Sequence, residues 1–501
     1  MIIHIVPLYI LLTFCRYWLT LSTMNHKKKD SLIIPLCPHL LFCIIIFLIT
    51  ACQSTPKEKL YPGTPSLLSG VHPEMNTPGF WIARHGDPDG RILDAQGIDR
   101  INGEVQAQGL TRDLGMIQQV TSEDLAKDFI KTITWVRKVS LFTKNGKRLH
   151  KDFTAACENE MNIQNLPPLI SPRYGYTVRQ TNVRILPTDE PGYEEKGSEF
   201  IDHIQASSID WGTPLVLLHQ SKSGEWLFVH TELVSGWIRT AEVAHIEADA
   251  FFTLYRRSEP LVVTAAKADL WADTSKTRFL GSVRMGSYLF APIAISDAAS
   301  ASEGLLEIRM SARSKNGTFI EIPAWVESKD VSKGFLPYTA RTIYEQSFKL
   351  LHTPYGWGGS FGERDCSQFL CEIFRTVGIV LPRNSSRQAR VGIPIEWIER
   401  QTSTDAKKDI LTNGAIGGAT LLRFPGHIML YLGSVYGEPY AIHSTWGYRE
   451  KIGRSNVTRL VNRVVVSNLN LGDGSDKGSH IERLTNAVII AATEAFYGNQ
   501  E

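Results

Sequence analysis

The stretch GGSFGERDCSQFLCEIF (358–374) places Cys366 directly after Asp365, behind a glycine-rich run and at the start of an apolar segment. Cysteine reacts as its thiolate. A free thiol has a pKa of about 8.5, and a helix N-terminus or a neighbouring imidazolium can lower it to roughly 3.5–7.5. Phe369, Ile373 and Val377, flanked by Leu370 and Phe374, form one apolar stripe, so the spacing predicts a helix over 366–377 with Gly378 as its stop. Cys366 then stands in the first turn, where unpaired N–H groups would favour the thiolate. Cys371 falls deeper in the same helix and reads as a small core residue.

A cysteine nucleophile needs a base, and the base needs an orienting partner. His427 opens the strand-like run HIMLYLG (427–433), and His443 comes near the end of PYAIHS (439–444). A glycine-containing loop joins the two runs as a hairpin. In a hairpin the start of one strand lies beside the end of its neighbour, which brings the two imidazoles together. One is a candidate base for Cys366; the other would fix its tautomer.

The elements that must position these residues follow from pattern. YTARTIYEQSFKLLH (338–352) has helical spacing, as do LDAQGIDRINGEVQAQGL and TSEDLAKDFIKTITWVRK (121–138), the last with a Thr or Ser cap. Between them lie strand-like runs. TPLVLLHQ (213–220), EWLFVHTE (225–232) and SGWIRTAEVA (235–244) are punctuated by Ser223-Gly224 and Ser235-Gly236 as turns, and a second strand-rich block spans about 250–335.

The chain has 501 residues and a formal net charge of +2. Length argues for several domains, and so small a charge gives no reason to expect nucleic acid. HKKK (26–29) followed by LLFCIIIFLITAC has the basic and apolar regions of a secretory signal. Ile49-Thr50-Ala51-Cys52 resembles a bacterial lipobox, which implies cleavage before Cys52 and lipid on its thiol. Gln53, in place of the Asp that marks inner-membrane retention, favours the outer membrane, facing the periplasm. An uncleaved membrane anchor is the alternative. Residues 53–78 are rich in Pro, Ser, Thr and Lys and read as a tether.

PYGWGGSFGERDCSQFLCEIFRTVGIVLPRNSSRQ, GHIMLYLG and AIHSTWG together resemble the NlpC/p60 family of cysteine peptidases. The resemblance implies a papain-like fold and hydrolysis of peptidoglycan stem peptides, most often between γ-D-glutamate and a diamino acid. It carries Cys366 over as nucleophile, His427 as base, His443 as orienting third member and Tyr355 as an oxyanion donor. Asp365 and Ser367 match positions that in some members bind the free amine of an N-terminal L-alanine. Gln368 stands where the family has Gly, and GGATLLRFPGH replaces its Gly-Asp-Leu. The upstream blocks are similar to bacterial SH3-like barrels and to an N-terminal clip segment found in the same four-part proteins.

The expected fold is therefore multidomain: two small all-β SH3-like barrels plus an α+β papain-like NlpC/p60 catalytic domain. The expected parts are a signal and lipobox segment (1–52), the tether (53–78), a clip domain (79–171), a first barrel (172–247), a second barrel (248–335) and the peptidase domain (336–501). Trp211, Trp226 and Trp237 are expected in barrel core. No cofactor and no metal are expected. The expected partners are peptidoglycan peptides or muropeptides, and a membrane through the lipid. Two other readings compete. IARHGDP (82–88) has the Arg-His-Gly of histidine phosphatases without a partner motif, and the whole chain would serve equally as a lipid-anchored wall-binding scaffold if its peptidase domain were inactive.

Overall fold

The computed structural model describes residues 67–291, 304–396 and 398–491. The signal segment, Cys52 and most of the tether lie outside these. From residue 67 onward the tether expectation is corrected. Leu68, Val71 and Met75 are buried and pack into the core of the C-terminal domain. Trp81, 2% exposed, joins the same core, its indole N–H donating to the Met75 carbonyl at 2.8 Å.

The rest of the expected clip is divided between two cores. Helix α1 (Ala95–Ala107) starts at Asp94, whose carboxylate accepts the Gly97 N–H, and buries Ile101 and Val105 with the C-terminal core. Helix α2 (Ser122–Lys138) starts at Thr121, whose hydroxyl accepts the Asp124 N–H. Its stripe of Leu125, Phe129, Ile133 and Val136 packs instead with the first β-sheet, as does Cys157 of α3 (Lys151–Glu160).

That sheet comprises β1 (Arg173–Thr177), β2 (Thr181–Arg184), β3 (Gln205–Ile209), β4 (Pro214–Gln220), β5 (Trp226–His230), β6 (Ser235–Arg239) and β7 (Val243–Ile246). Their order is β7-β1-β4-β5-β6-β2-β3, antiparallel throughout. Side chains alternate between faces along a strand. Leu215 and Leu217 therefore enter one core, and Val216 and Leu218 the other. Trp226 and Trp237 are buried there. The turn expected at Ser235-Gly236 is corrected: both residues lie in β6, and the chain reverses where the Thr231 N–H meets the Val234 carbonyl at 2.9 Å. Gly236 serves close approach, since a Cβ there would sit 2.6 Å from the Arg184 carbonyl oxygen on β2.

After α4 (Ala248–Tyr255) comes a second β block. Strands β8 (Lys267–Trp271), β9 (Phe279–Arg284), β10 (Leu305–Arg313) and β11 (Phe319–Glu327) form a sheet in the order β9-β8-β11-β10. Trp211 packs partly buried against this block and donates to the Ser311 carbonyl at 2.6 Å.

The C-terminal region adds α5 (Ala340–Lys349), α6 (Cys366–Arg375), β12 (Ile393–Pro394), α7 (Thr404–Gly414), β13 (Thr420–Phe424), β14 (His427–Val435), β15 (Glu438–Ile452), β16 (Ser455–Asn468), α8 (His480–Arg483) and β17 (Asn486–Ile489). The six strands run β12-β17-β13-β14-β15-β16. Phe369, Leu370 and Ile373 of α6 pack with Ile428, Leu430 and Ile442 on one face. Leu411 of α7 and Ile481 of α8 pack with Met429, Tyr431 and Ala441 on the other.

Arg284, only 2% exposed, holds the three regions together. From β9 its guanidinium reaches both oxygens of Asp210 after β3 at 2.9–3.1 Å, the Ser208 carbonyl at 3.1 Å and the Glu363 carbonyl ahead of α6 at 3.4 Å.

If residues 67–110 belong to the C-terminal core, Trp81→Ala lowers stability by about 3–5 kcal/mol. Urea unfolding monitored by circular dichroism measures this, and a loss below about 1 kcal/mol would contradict the packing.

Candidate active site

Helix α6 begins as its sequence requires. Asp365 is the N-cap, and its carboxylate accepts the N–H groups of Ser367 at 3.1 Å and Gln368 at 2.9 Å. The loop before it turns through left-handed Gly358, Gly359, Phe361 and Gly362. A Cβ on Gly359 would meet Ser208 Oγ at 2.1 Å, so only glycine lets this loop press against β3. Gln205 and Ser208 of β3 donate to the Gly358 and Gly359 carbonyls at 3.2 and 2.9 Å.

The same carboxylate forms a two-pronged pair with Arg383, at 3.0 and 2.7 Å, both side chains nearly buried. Arg383 also donates to Ser367 Oγ and to Ser207 Oγ of β3, each at 2.8 Å. The Gly358 N–H and the Ser367 hydroxyl complete the set around Asp365, at 3.1 and 3.0 Å. Arg383 holds the Asp365 carboxyl below the usual range in spite of its burial. The expected amine-binding pair is therefore already satisfied by protein donors, and an incoming ammonium must displace one.

Cys366 sits at 9% exposure. The Ile428 N–H, in the peptide adjoining His427, lies near enough to the sulfur to favour its anion. The thiol is pushed up to about 12, by burial first and the Asp365 charge second, against smaller opposing effects of the Ile428 and Ser367 N–H groups and Arg383. Burial and the Asp365 charge thus outweigh the favourable field expected at the helix start. The first turn spends its N–H groups on Asp365, and the anion has little water. Tyr355 lies close by, its phenol raised by burial and then by the charges of Cys366 and Asp365.

The two histidines meet, though not as hairpin ends. Strand β15 continues to Ile452, so His443 is interior to it. Register brings the rings together instead. Leu430 faces Ile442 and Tyr431 faces Ala441. His427 and His443 thus fall on the face opposite Leu430 and Ile442, as diagonal neighbours. His427 Nε2 lies 2.8 Å from His443 Nδ1, and His443 Nε2 lies 3.0 Å from Ser467 Oγ of β16. With the His443 proton on Nε2 and the His427 proton on Nε2, the chain leaves the His427 Nδ1 lone pair free to act as a base. No hydrogen bond joins Cys366 to His427 among the described residues; His427 adjoins Ile428, whose N–H lies near the sulfur. Such contacts commonly tighten only when substrate binds.

Sequence reasoning missed Arg383 as the partner of Asp365 and His480 as a third buried imidazole. The ring of His480 lies 5.6 Å from His443 and 6.0 Å from His427. His85 of IARHGDP is a loop residue whose Nδ1 accepts the Asp87 N–H at 3.2 Å. Among the described residues no group of His, Cys, Asp or Glu is placed to hold a metal ion. A cavity of about 540 Å³ lies between the two β blocks and α6, lined by Arg284, Tyr288, Gln368, Glu372 and Arg375. Its lining does not include Cys366.

Residues 352–466 match the model of the NlpC/P60 family, and residues 190–239 match that of the SH3 domain (SH3b1 type). No curated protein matches the chain. Among solved structures, it is similar to an NlpC/P60 endopeptidase from Photobacterium damselae subsp. piscicida. Identity is 22%, the TM-score is 0.68, and the likeness covers 86% of this chain and 99% of that one. It is also similar, with a TM-score of 0.43, to an NlpC/P60 family protein from Bacillus cereus ATCC 10987, at 18% identity over 63% of this chain and 98% of that one. At these identities the first likeness speaks for the fold and the second carries no argument.

Two outcomes are expected from the electrostatics. Arg383→Met strands the Asp365 charge in the interior and costs about 3–5 kcal/mol, whereas Asp365→Asn combined with Arg383→Met recovers part of the loss in urea titrations. His427, His443 and His480 are each held well below the ordinary imidazole range, burial first in every case. The folded protein keeps them neutral, while the unfolded chain binds protons from about pH 6.5 downward. Their stabilisation is complete above about pH 6.5. It falls as pH drops toward the depressed folded values, by up to about 1.4 kcal/mol per pH unit per histidine. The urea midpoint is expected to hold between pH 8 and 7 and to fall steeply between pH 6.5 and 5.

Proposed function

The chain carries an SH3b-type domain and an NlpC/P60 domain, and from that premise we propose a cysteine peptidase that hydrolyses γ-D-glutamyl–diamino acid bonds in peptidoglycan stem peptides or muropeptides. The observations that support this reading are Cys366 on a capped helix start, near the Ile428 amide, and the His427–His443 hydrogen bond that begins at the residue next to Ile428. A neutral thiol and a neutral imidazole suit general-base activation.

In this reading His427 Nδ1 takes the Cys366 proton as the sulfur attacks the scissile carbonyl. His443 receives the His427 Nε2–H bond and holds the ring in place. The Tyr355 hydroxyl donates to the developing oxyanion, a kind of contact worth a few kcal/mol of barrier. His427 then returns the proton to the leaving amine, and water, deprotonated by the same ring, releases the acyl group from sulfur. Recognition of a free peptide amine by Asp365 and Ser367 is a separate element, and it requires Arg383 or an N–H group to yield a lone pair. A lipid on Cys52 would tether the enzyme in the cell envelope, at the outer membrane facing the periplasm. The alternative is an inactive, lipid-anchored wall-binding scaffold.

Mass spectrometry of L-Ala-γ-D-Glu-diaminopimelate incubated with the protein tests this. Release of L-Ala-γ-D-Glu by wild type, and none by a folded Cys366→Ala variant, is expected. Loss of cleavage on N-acetylation of the peptide would support the amine site; equal cleavage would remove it. No cleavage of peptide or sacculi would leave the scaffold.

A further inference from the structure

Helix α8 supplies a titratable ring that the reaction above does not use. His480 lies beyond residue 466, where the match to the family model ends. It is 4% exposed, and its Nδ1 is buried without a hydrogen-bond partner. A buried polar atom left unpaired weakens the fold unless something is gained from its placement. The ring meets His443 edge to face at 5.6 Å and 75°, and it lies 5.2 Å from Phe424. Phe424 in turn lies 5.3 Å from His427. Phe424 and His480 thus occupy the face of the sheet on which the His427–His443 bond lies.

The segment that presents His480 is firmly built. Ser479 and Glu482 form a capping box around α8. The His480 and Ile481 N–H groups donate to the Leu471 and Leu469 carbonyls at 3.0 and 2.8 Å. Lys407, buried in α7, donates to the Glu482 and Leu484 carbonyls at 3.0 and 2.8 Å. Arg483 lies over Phe424 at 4.0 Å.

Resting on the assignment of Cys366 and His427 as the reacting pair, we propose that His480 is a positioning residue: with Phe424 it walls the His427–His443 hydrogen bond from water and so holds the His427 ring on target. A hydrogen bond kept from water is stronger and its geometry better fixed. The charged and titratable groups around His480 are His427 and His443 from the sheet, Lys407 from α7, and Glu482 and Arg483 from its own helix. Lys407 is held by carbonyls and Glu482 by Ser479, so no carboxylate is left to welcome a protonated His480. The wall works with a neutral ring.

His480→Ala and His480→Phe separate this from a merely structural role, since both remove the imidazole and only the second keeps a ring. Two readouts are used: kcat and KM on the stem peptide, and the pH dependence of Cys366 alkylation by iodoacetamide, which needs no peptidase activity. For His480→Ala, kcat falls about tenfold or more with KM within about twofold, and the alkylation profile shifts in pH. His480→Phe stays within about threefold of wild type in kcat and keeps the wild-type alkylation profile. A folded His480→Ala with wild-type kcat and profile, changed only in melting temperature, would overturn the proposal. So would a folded His480→Phe as impaired as the alanine variant, and this arm decides the matter if alanine prevents folding. Should wild type not cleave the peptide, the reacting-pair reading fails on its own count; the alkylation profiles then decide the wall, a shift in alanine alone supporting it and identical profiles overturning it.

Discussion

The buried pair of Asp365 and Arg383 is the constraint from which the site is assembled. One carboxylate caps α6, receives the Gly358 N–H from the glycine loop and meets a guanidinium that also grips Ser207 of the first β domain. A carboxylate and a guanidinium taken out of water are worth their desolvation only when nearly every lone pair and proton is used. Here they are used, and the consequence is geometric. Helix α6, the loop before it and the first β domain are tied together at this pair. Arg284 repeats the principle between Asp210, Ser208 and the residue ahead of Arg364, so the β domains act as a wall of the peptidase domain.

The same burial decides how the thiol is handled. With little water and a carboxylate one residue away, the Cys366 proton is held firmly. The imidazoles, His443 fully and His427 partly buried, are held neutral. In the proposed reaction a neutral thiol and a neutral base would store no ion pair at rest, and charge would separate only as the sulfur attacks. The helix N-terminus contributes alignment more than acidity, because its N–H groups are already spent on Asp365.

Residue type and period made part of this legible. The apolar stripe after Cys366, and Gly378 beyond it, located α6 to within about two residues, because period and stop are local chemistry. The short apolar run in TPLVLLHQ, buried on both faces, located β4 for the same reason. His427 and His443 were visible as a pair because two rings flanking a hairpin must come close, although register, not strand ends, is what joins them. Long-range partners were not visible. Nothing near Asp365 announces Arg383, and the lone pairs expected to bind an amine are taken by it. α8 is one turn long and has no period to read, so His480 was hidden. Leu68, Val71 and Met75 look like part of a polar linker until the C-terminal core closes over them.

The account stands or falls on the acyl-enzyme. Wild-type protein mixed with L-Ala-γ-D-Glu-diaminopimelate and quenched in acid during turnover, then examined by intact and peptide mass spectrometry, tests it directly. The expected result is an L-Ala-γ-D-Glu adduct on the peptide containing Cys366 and, within it, on that sulfur rather than on Cys371. Turnover with the adduct on Cys371 or Cys157, or turnover in a folded protein whose Cys366 has been blocked, would contradict the site.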